Sequence, residues 1–266
     1  NLIKPQPGDA VASLARISAE DLKKAGEDAN GGGKPGARTA LVTTKGFADV
    51  LAIGTQARPR LFDLAIRKPA PLYENIVEAD ERIAADGTIL RPLDGESLKR
   101  DLEKLKRNGM ESLAICFLNA YVNPGHELAF MSIHFSAAAD SVSSRIAPVE
   151  KIVSRGSTTV VDAYLNPVLR DYVAELRGAL PGSEIRILTS AGGLVDAEHF
   201  VGKDSILSGP AGGAVGFSRV AQAAGFSRAI GFDMGGTSTD VSRFDGRLEI
   251  EYETDKAGVR IVSPMM

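Results

Sequence analysis

Ile230-Gly-Phe-Asp-Met-Gly-Gly-Thr-Ser-Thr-Asp240 is the stretch that decides the fold of this chain. The run Ala229 to Asp233 reads as a buried strand that delivers an acid, Asp233, at its end. Gly235 and Gly236 permit positive φ and let backbone approach a ligand closely. Thr237, Ser238 and Thr239 add hydroxyl donors, and Asp240 closes the turn. Thr239 to Phe244 reads as the hairpin partner of the first strand. A turn of this kind aims several N–H groups at one point, which suits phosphate. Asp233 and Asp240 would repel phosphate unless a cation lay between them. Carboxylate together with substrate phosphate is the usual way to hold Mg²⁺, so these two acids are the candidate metal ligands and catalytic residues. A plain hairpin with Asp and Gly as turn formers is the alternative. The full Asp-x-Gly-Gly-Thr-x-Thr-Asp string between two β-rich segments favours phosphate.

About 20 residues upstream lies a second Gly-rich string, Ser208-Gly-Pro-Ala-Gly-Gly-Ala-Val-Gly216. It reads as a Gly-rich turn that feeds a helix running to Ala224. A helix that begins this way offers free N–H groups to an anion. Ser208, Gly209, Gly212 and Gly213 join the candidate phosphate-binding set with Gly235, Gly236, Thr237, Ser238 and Thr239. Small residues also let a helix pack closely on a sheet, and on its own the string does not separate the two uses.

Outward from these strings, strands and helices alternate. Thr39 to Thr43 and Ser112 to Phe117 are short, apolar and β-branched, as buried strands are. Leu72 to Ile83 alternates loosely and reads as exposed strand or hairpin. Leu98, Leu102 and Leu105 lie at helical spacing within Asp94 to Arg107, opposite a face of Lys and Glu. Pro124 suits the first turn of another helix. Thr158 to Leu180 is a long helical pattern with Pro167 as its expected kink. Ile185 to Thr189 is a further strand, and Leu248 to Thr254 alternates as a half-buried strand does. The class is α/β. Three regions are expected: an irregular segment over 1–36, with a short helix near 18–27; an α/β region over 37–205; and the start of a second lobe over 206–266. Boundaries near 140–155 or 205 fit the pattern.

Composition removes several function classes. Of 266 residues 44% are hydrophobic and 24% charged, as in soluble globular proteins. The net charge of −3 gives no electrostatic footprint for nucleic acid or an anionic membrane. One cysteine, Cys116, excludes an internal disulfide and makes a reducing cytoplasm the default. A buried, inert thiol is its expected state. No apolar run approaches the roughly 18–20 residues of a membrane span, and no secretory signal is visible. The first residue is not Met, so the chain reads as a fragment or a processed form. His126, His134 and His199 show no metal-ligand spacing and read as structural. Arg58 and Arg60, with Asp63, form a polar cluster around Pro59. A solvated ion pair is the plainer reading, and a bidentate grip on a substrate carboxylate is the functional one.

The Asp233–Asp240 string resembles the phosphate-binding hairpin of the sugar kinase, Hsp70 and actin superfamily, and no Walker A string occurs. Together with Ser208-Gly-Pro-Ala-Gly-Gly213 it is similar to the hydantoinase A / 5-oxoprolinase family. Further similar stretches are Arg38 to Phe47, Ile53 to Asp63, Leu72 to Glu74, Asp80 to Ile83, Leu113 to Phe117, Pro124 to Glu127 and Asp162 to Pro167. They follow the family's order over residues 37–266. Gly54-Thr-Gln-Ala-Arg58 and Ala257-Gly-Val-Arg260 bring the chain closer to the 5-oxoprolinases. The resemblance implies actin/Hsp70-like lobes with nucleotide between them. It implies ATP, Mg²⁺ and K⁺ as cofactors, and ATP-dependent opening of 5-oxoproline or of a hydantoin ring. Its expected partners are ATP, the cyclic amide, and a second subunit or second copy. An ATP-binding subunit of an acetone or acetophenone carboxylase-like enzyme, or an inactive nucleotide-binding fragment, are the alternatives.

The departures also matter. The family's earlier Asp-x-Gly-Gly-Thr-x-Thr-Asp turn, and the Thr-Thr-x-x-Thr-Asn segment before the strand at Thr39, are not in these 266 residues. Residues 1–36 stand in that place. A chain with one phosphate hairpin of two is expected to bind nucleotide weakly and not to turn over a ring.

Overall fold

The computed structural model describes residues 36–55, 62, 68–133, 140–234, 239–256 and 258–266. The readings for residues 1–35, Arg58, Arg60, His134 and Gly235 to Ser238 lie outside them. In chain order the elements are β1 (Thr39–Thr44), α1 (Val50–Ile53), β2 (Tyr73–Ala79), β3 (Arg82–Ile83), β4 (Ile89–Arg91), α2 (Gly95–Arg107) and β5 (Ser112–Cys116). Next come α3 (Gly125–Ile133), β6 (Ser141–Val142), α4 (Ser143–Ile146), α5 (Ile152–Ala179), β7 (Arg186–Leu188) and β8 (Leu194–Asp196). A 3₁₀ turn (Ala197–His199) leads to α6 (Gly202–Ser205), α7 (Ser208–Ala223), β9 (Arg228–Met234), β10 (Thr239–Asp245), β11 (Glu251–Lys256) and β12 (Val259–Met265). The α/β alternation expected from the sequence is what forms.

The first unit is a parallel sheet in the order β2-β1-β5-β6. Every residue of β1 and β5 is buried, as parallel strands covered on both faces must be. Alternation divides their side chains between two cores. Ala40, Val42, Leu113 and Ile115 meet Leu98, Leu102 and Leu105 of α2, and Phe130 of α3. Leu41, Ala114 and Cys116 meet Val160, Val161 and Tyr164 of α5. Helix α2 is started by Asp94, whose side chain accepts from the Ser97 amide at 3.0 Å, and it ends on Lys104, Lys106 and Arg107, matching both poles of its dipole. Of the two readings of Leu72 to Ile83, exposed strand or hairpin, the strand is what forms. The segment supplies the parallel edge strand β2, whose outer residues Glu74, Ile76 and Glu78 are exposed.

Three readings are corrected. The strand over Ala229 to Asp233 is not buried, since Ile230, Phe232 and Asp233 are exposed. The Gly-rich string is not a turn before a helix, because Ser208 to Gly216 is already the first part of α7. The alternation over Leu248 to Thr254 is offset: the strand is β11, and its residues are mostly exposed. Its partner β12 does the packing, with Ile261, Ser263 and Met265 buried. The amide of Val262 donates to Thr158 Oγ1 on α5 at 2.8 Å. The last segment of the chain is thus tied to the long helix. That helix runs through Pro167 for 28 residues, beginning six residues before the sequence pattern does. No helix among the described residues is long and apolar enough to cross a membrane.

A buried polar knot sets how α5, β6 and α6 meet. Asp162 Oδ2 accepts from Ser141 Oγ at 2.6 Å and from Asn166 Nδ2 at 2.8 Å, and Oδ1 accepts from the Lys203 amide at 2.8 Å. Asn166 Oδ1 accepts from the Gly202 amide at 2.8 Å. A Cβ at Gly202 would lie 2.6 Å from the Asp162 carbonyl oxygen, so the approach needs glycine. Burial pushes the Asp162 carboxyl up against these donors. Asp162→Ala strips the Ser141 hydroxyl and the Lys203 amide of their acceptor, while Asn166 Nδ2 keeps Ser141 Oγ at 3.0 Å. It should cost about 2–3 kcal/mol, seen as an earlier urea midpoint with an unchanged m value.

Asp140, just before β6, behaves differently. Burial pushes its carboxyl up to about 7, opposed by the Leu113 backbone and by Arg170. The unfolded value is about 3.9, so the native state holds the proton more tightly. The stability tied to that proton is complete below about pH 4 and is lost as pH rises through about 7. Asp140→Asn should match the parent near pH 4 and exceed it at pH 8, measured as unfolding free energy across that range.

Candidate functional site

The strands β9 and β10 pair antiparallel, with Asp240 directly opposite Asp233 and Thr239 opposite Met234. Alternation places Ala229, Gly231 and Asp233 on one face and Ile230, Phe232 and Met234 on the other. The first face lies on α7. A Cβ at Gly231 would meet the Phe217 ring at 2.6 Å, so only glycine lets the strand approach the helix there. A Cβ at Gly213 would lie 3.7 Å from Asp233 Oδ2. Gly213 therefore faces the acid, one turn beyond the start of α7. The second face leaves Ile230, Phe232, Met234 and Val241 exposed.

Two acids directly opposite on one face of an antiparallel pair have Cβ atoms about 4.5–5.5 Å apart. Like charges at that spacing destabilise the pair unless something positive lies between them. Asp233 and Asp240 are both exposed, so a cation can reach them. Among the described residues no three His, Cys, Asp or Glu come together as a metal cage. Two carboxylates without a cage suit an ion that keeps water and takes its remaining ligands from phosphate, as Mg²⁺ does.

The other candidates separate. Thr239, the first residue of β10, is exposed and lies opposite Met234, on the face away from the two acids. Gly212 packs away from the acids, since its Cβ would sit 3.5 Å from Leu188 of β7. Ser208 is buried at the helix start, and Gly209 and Gly216 meet open space. Leu207, at the N-cap, provides no side-chain cap, so first-turn amides of α7 have no such partner. Register and packing thus bring Asp233, Asp240 and Gly213 together, and leave Thr239 on the opposite face. The rest of α7's small residues divide between packing and exposure.

A second polar centre, at the C-terminal ends of β1 and β5, was not legible in the sequence. Thr44 Oγ1 donates to Glu81 and accepts from the Leu118 amide. His126 Nδ1 lies 2.7 Å from Glu81 Oε2. Glu127 accepts from Phe117 N, Ser143 Oγ and Ser144 N at 2.6–2.9 Å, and burial still pushes its carboxyl up. Arg155, fully buried, donates to the carbonyls of Val149 and Phe117 at 2.7 Å and stacks on Tyr121. Most of these groups satisfy one another, while Arg155 Nε and Ser144 Oγ are buried without a hydrogen-bond partner among the described residues, and His126 is buried against Glu81. Cys116 is buried beside them, which pushes its thiol up.

Comparison with known proteins adds the family context. The family described as Hydantoinase/oxoprolinase matches residues 155–266, and its N-terminal region matches residues 27–134. A 5-oxoprolinase of Saccharomyces cerevisiae is 40% identical over 265 residues, covering 87% of this chain and 21% of the yeast protein. The chain therefore spans about a fifth of that relative. An ATP-dependent caprolactamase from Pseudomonas jessenii superposes with a TM-score of 0.75 at 26% identity, covering 98% of this chain and 42% of that one. A nucleotide-free acetone carboxylase gives 0.78 at 22% identity, covering 96% and 37%.

The separation of α7's glycines can be checked. Gly216→Ala adds a methyl into open space inside a helix and should stabilise by about 0.5–1 kcal/mol. Thermal unfolding would show it as a higher midpoint, with nucleotide affinity unchanged.

Proposed function

Because this chain belongs to the hydantoinase/oxoprolinase family, we propose that it is the nucleotide-holding part of an ATP-dependent cyclic-amide hydrolase that opens 5-oxoproline or a hydantoin ring, with 5-oxoproline favoured. The observation that carries the reading is the cross-strand register of Asp233 and Asp240, beside Gly213 of α7. The acids would hold Mg²⁺, and the amides and hydroxyls of Gly235 to Thr239 would meet phosphate. K⁺ belongs to the same proposed set, without an assigned residue. Bound ATP would supply a phosphoryl group for the ring oxygen, turning the oxygen of a stable five-membered amide into a leaving group. The chain's own contribution is position and charge: the two carboxylates fix the cation, and the glycines admit the phosphates without a clash. Proposed partners are the cyclic amide, ATP, and a second subunit or second copy; a reducing cytoplasm fits the single buried Cys116.

The acetone carboxylase likeness favours one other reading, an ATP-binding carboxylase-type subunit. The two share the nucleotide site and differ in the small molecule, so ring opening against carboxylation of a ketone by the complete enzyme separates them.

Calorimetric titration with ATP tests the site. With Mg²⁺ present, Asp233→Asn should weaken binding about tenfold or more, since it removes one carboxylate from the cation. With EDTA present the same variant should bind ATP no worse than the parent, because it removes a charge that repels phosphate. Gly236→Val should abolish binding under both conditions. Affinities unchanged in both variants would sink the phosphate assignment.

A further inference from the structure

Two stretches that the nucleotide site does not use meet in space. Gly54-Thr55 and Gly258-Val259-Arg260, about 200 residues apart in the chain, line one cavity of about 710 Å³. That volume is within the usual range of small-molecule sites, about 300–1,000 Å³. Its floor belongs to the main core: Leu51, Leu72, Val160 and Val161. Val153, Ser157, Val160 and Val161 recur at i, i+4, i+7 and i+8, so one stripe of α5 lines the cavity: Val160 and Val161 are buried in the core, and Val153 and Ser157 are partly exposed. In that stripe Ser157 is the one polar residue.

Among the described residues the charged lining is two cations and one acid, Lys68, Arg260 and Asp255. Lys68 Nζ donates to the carbonyls of Ile53 and Thr55 at the end of α1, where a cation suits the helix dipole. Arg260 lies 3.6 Å from Glu253, which leaves guanidinium donors over for a ligand. Asp255 Oδ1 accepts from the Gly258 amide at 3.0 Å and closes the hairpin between β11 and β12. Gly258 has φ +77°, and a Cβ there would meet Pro69 at 2.8 Å. The hairpin tip thus packs directly on the Pro69 side of the cavity, which fixes where Arg260 starts.

We propose that this cavity is a second small-molecule site, one that recognises a compact ring bearing a carboxylate: apolar ring against Leu72 and the α5 stripe, ring amide at Ser157, carboxylate at Arg260. The choice of ring rests on the cyclic-amide reading above. The cavity is not the place of phosphoryl transfer. Strand β12 leads from Val259 at the cavity to Met266, whose amide donates to the Ser190 carbonyl and whose side chain lies by Gly192, near Val215 of α7. Seven extended residues span about 23 Å, so the cavity and the stretch of α7 that carries Val215 lie at opposite ends of one strand.

Ligand titrations without nucleotide test this, using 5-oxoproline and its uncharged analogue 2-pyrrolidinone. The parent chain should bind 5-oxoproline saturably, with Kd below about 1 mM, and 2-pyrrolidinone about tenfold more weakly. Arg260→Met should remove that preference and leave 2-pyrrolidinone binding unchanged. Ser157→Leu, which fills the cavity from a partly exposed position, should abolish binding of both rings while circular dichroism shows an intact fold. No ring binding by the parent, or equal binding by parent and both variants, overturns the cavity assignment. Titration of the same samples with Mg²⁺ and ATP keeps the two readings apart: ring binding without ATP binding leaves the cavity site standing and removes the nucleotide site, and the converse does the opposite.

Discussion

The carboxylate of Asp162 is the interaction on which the arrangement of the chain depends. It is buried in α5, yet it takes its donors from β6, from α5 itself and from the start of α6. An ionisable group can stay in such a place only if its acceptor capacity is filled. Filling it fixes three segments at once. The parallel sheet is thereby held to one side of α5, and the chain leaving α6 enters α7 at a set position. The amide of Leu207 donates to Ser190 Oγ at 2.9 Å just before that helix begins.

The position of α7 in turn sets the candidate nucleotide site. A strand can lie close on a helix only where side chains are absent, and Gly231 against Phe217 provides that absence. The close approach brings Asp233 alongside Gly213, and hairpin register then places Asp240 opposite. Electrostatics does the rest. Two exposed acids in direct cross-strand register are a poor arrangement for an isolated hairpin and a good one for holding a cation. The cavity at the far end of β12 follows a different physical logic, a partly exposed stripe of the long helix with cations beside it. Both regions are attached to the same α5–β12 contact, through Thr158 Oγ1 and the buried Ile261 and Met265.

Much of this was legible from residue order. The buried strands β1 and β5 show because parallel strands covered on both faces need unbroken apolar runs. Helix α2 shows through Leu98, Leu102 and Leu105 at helical spacing, with Asp94 as its start. The β9–β10 hairpin shows because glycines, hydroxyls and acids at fixed offsets have few other uses. These signals are local, carried by residues within a dozen positions of one another.

What the sequence by itself determined is therefore the α/β class, the family, and the string from Asp233 to Asp240. Tertiary structure decided the remainder, because it depends on which distant groups meet. Strand β12 carries Ser263 and Pro264 among its apolar residues and became visible only once α5 was there to cover Ile261 and Met265. Leu248 to Thr254 alternates as a half-buried strand would, but its neighbour took the contact with α5 and left β11 exposed. Glu81 and His126 look like surface residues in the chain, and so do Glu127 and Arg155. They are buried because donors and acceptors from other elements meet them, although Arg155 Nε has no partner among the described residues. Hydrogen-bond satisfaction inside a core is a property of the folded chain, and no spacing along the sequence encodes it.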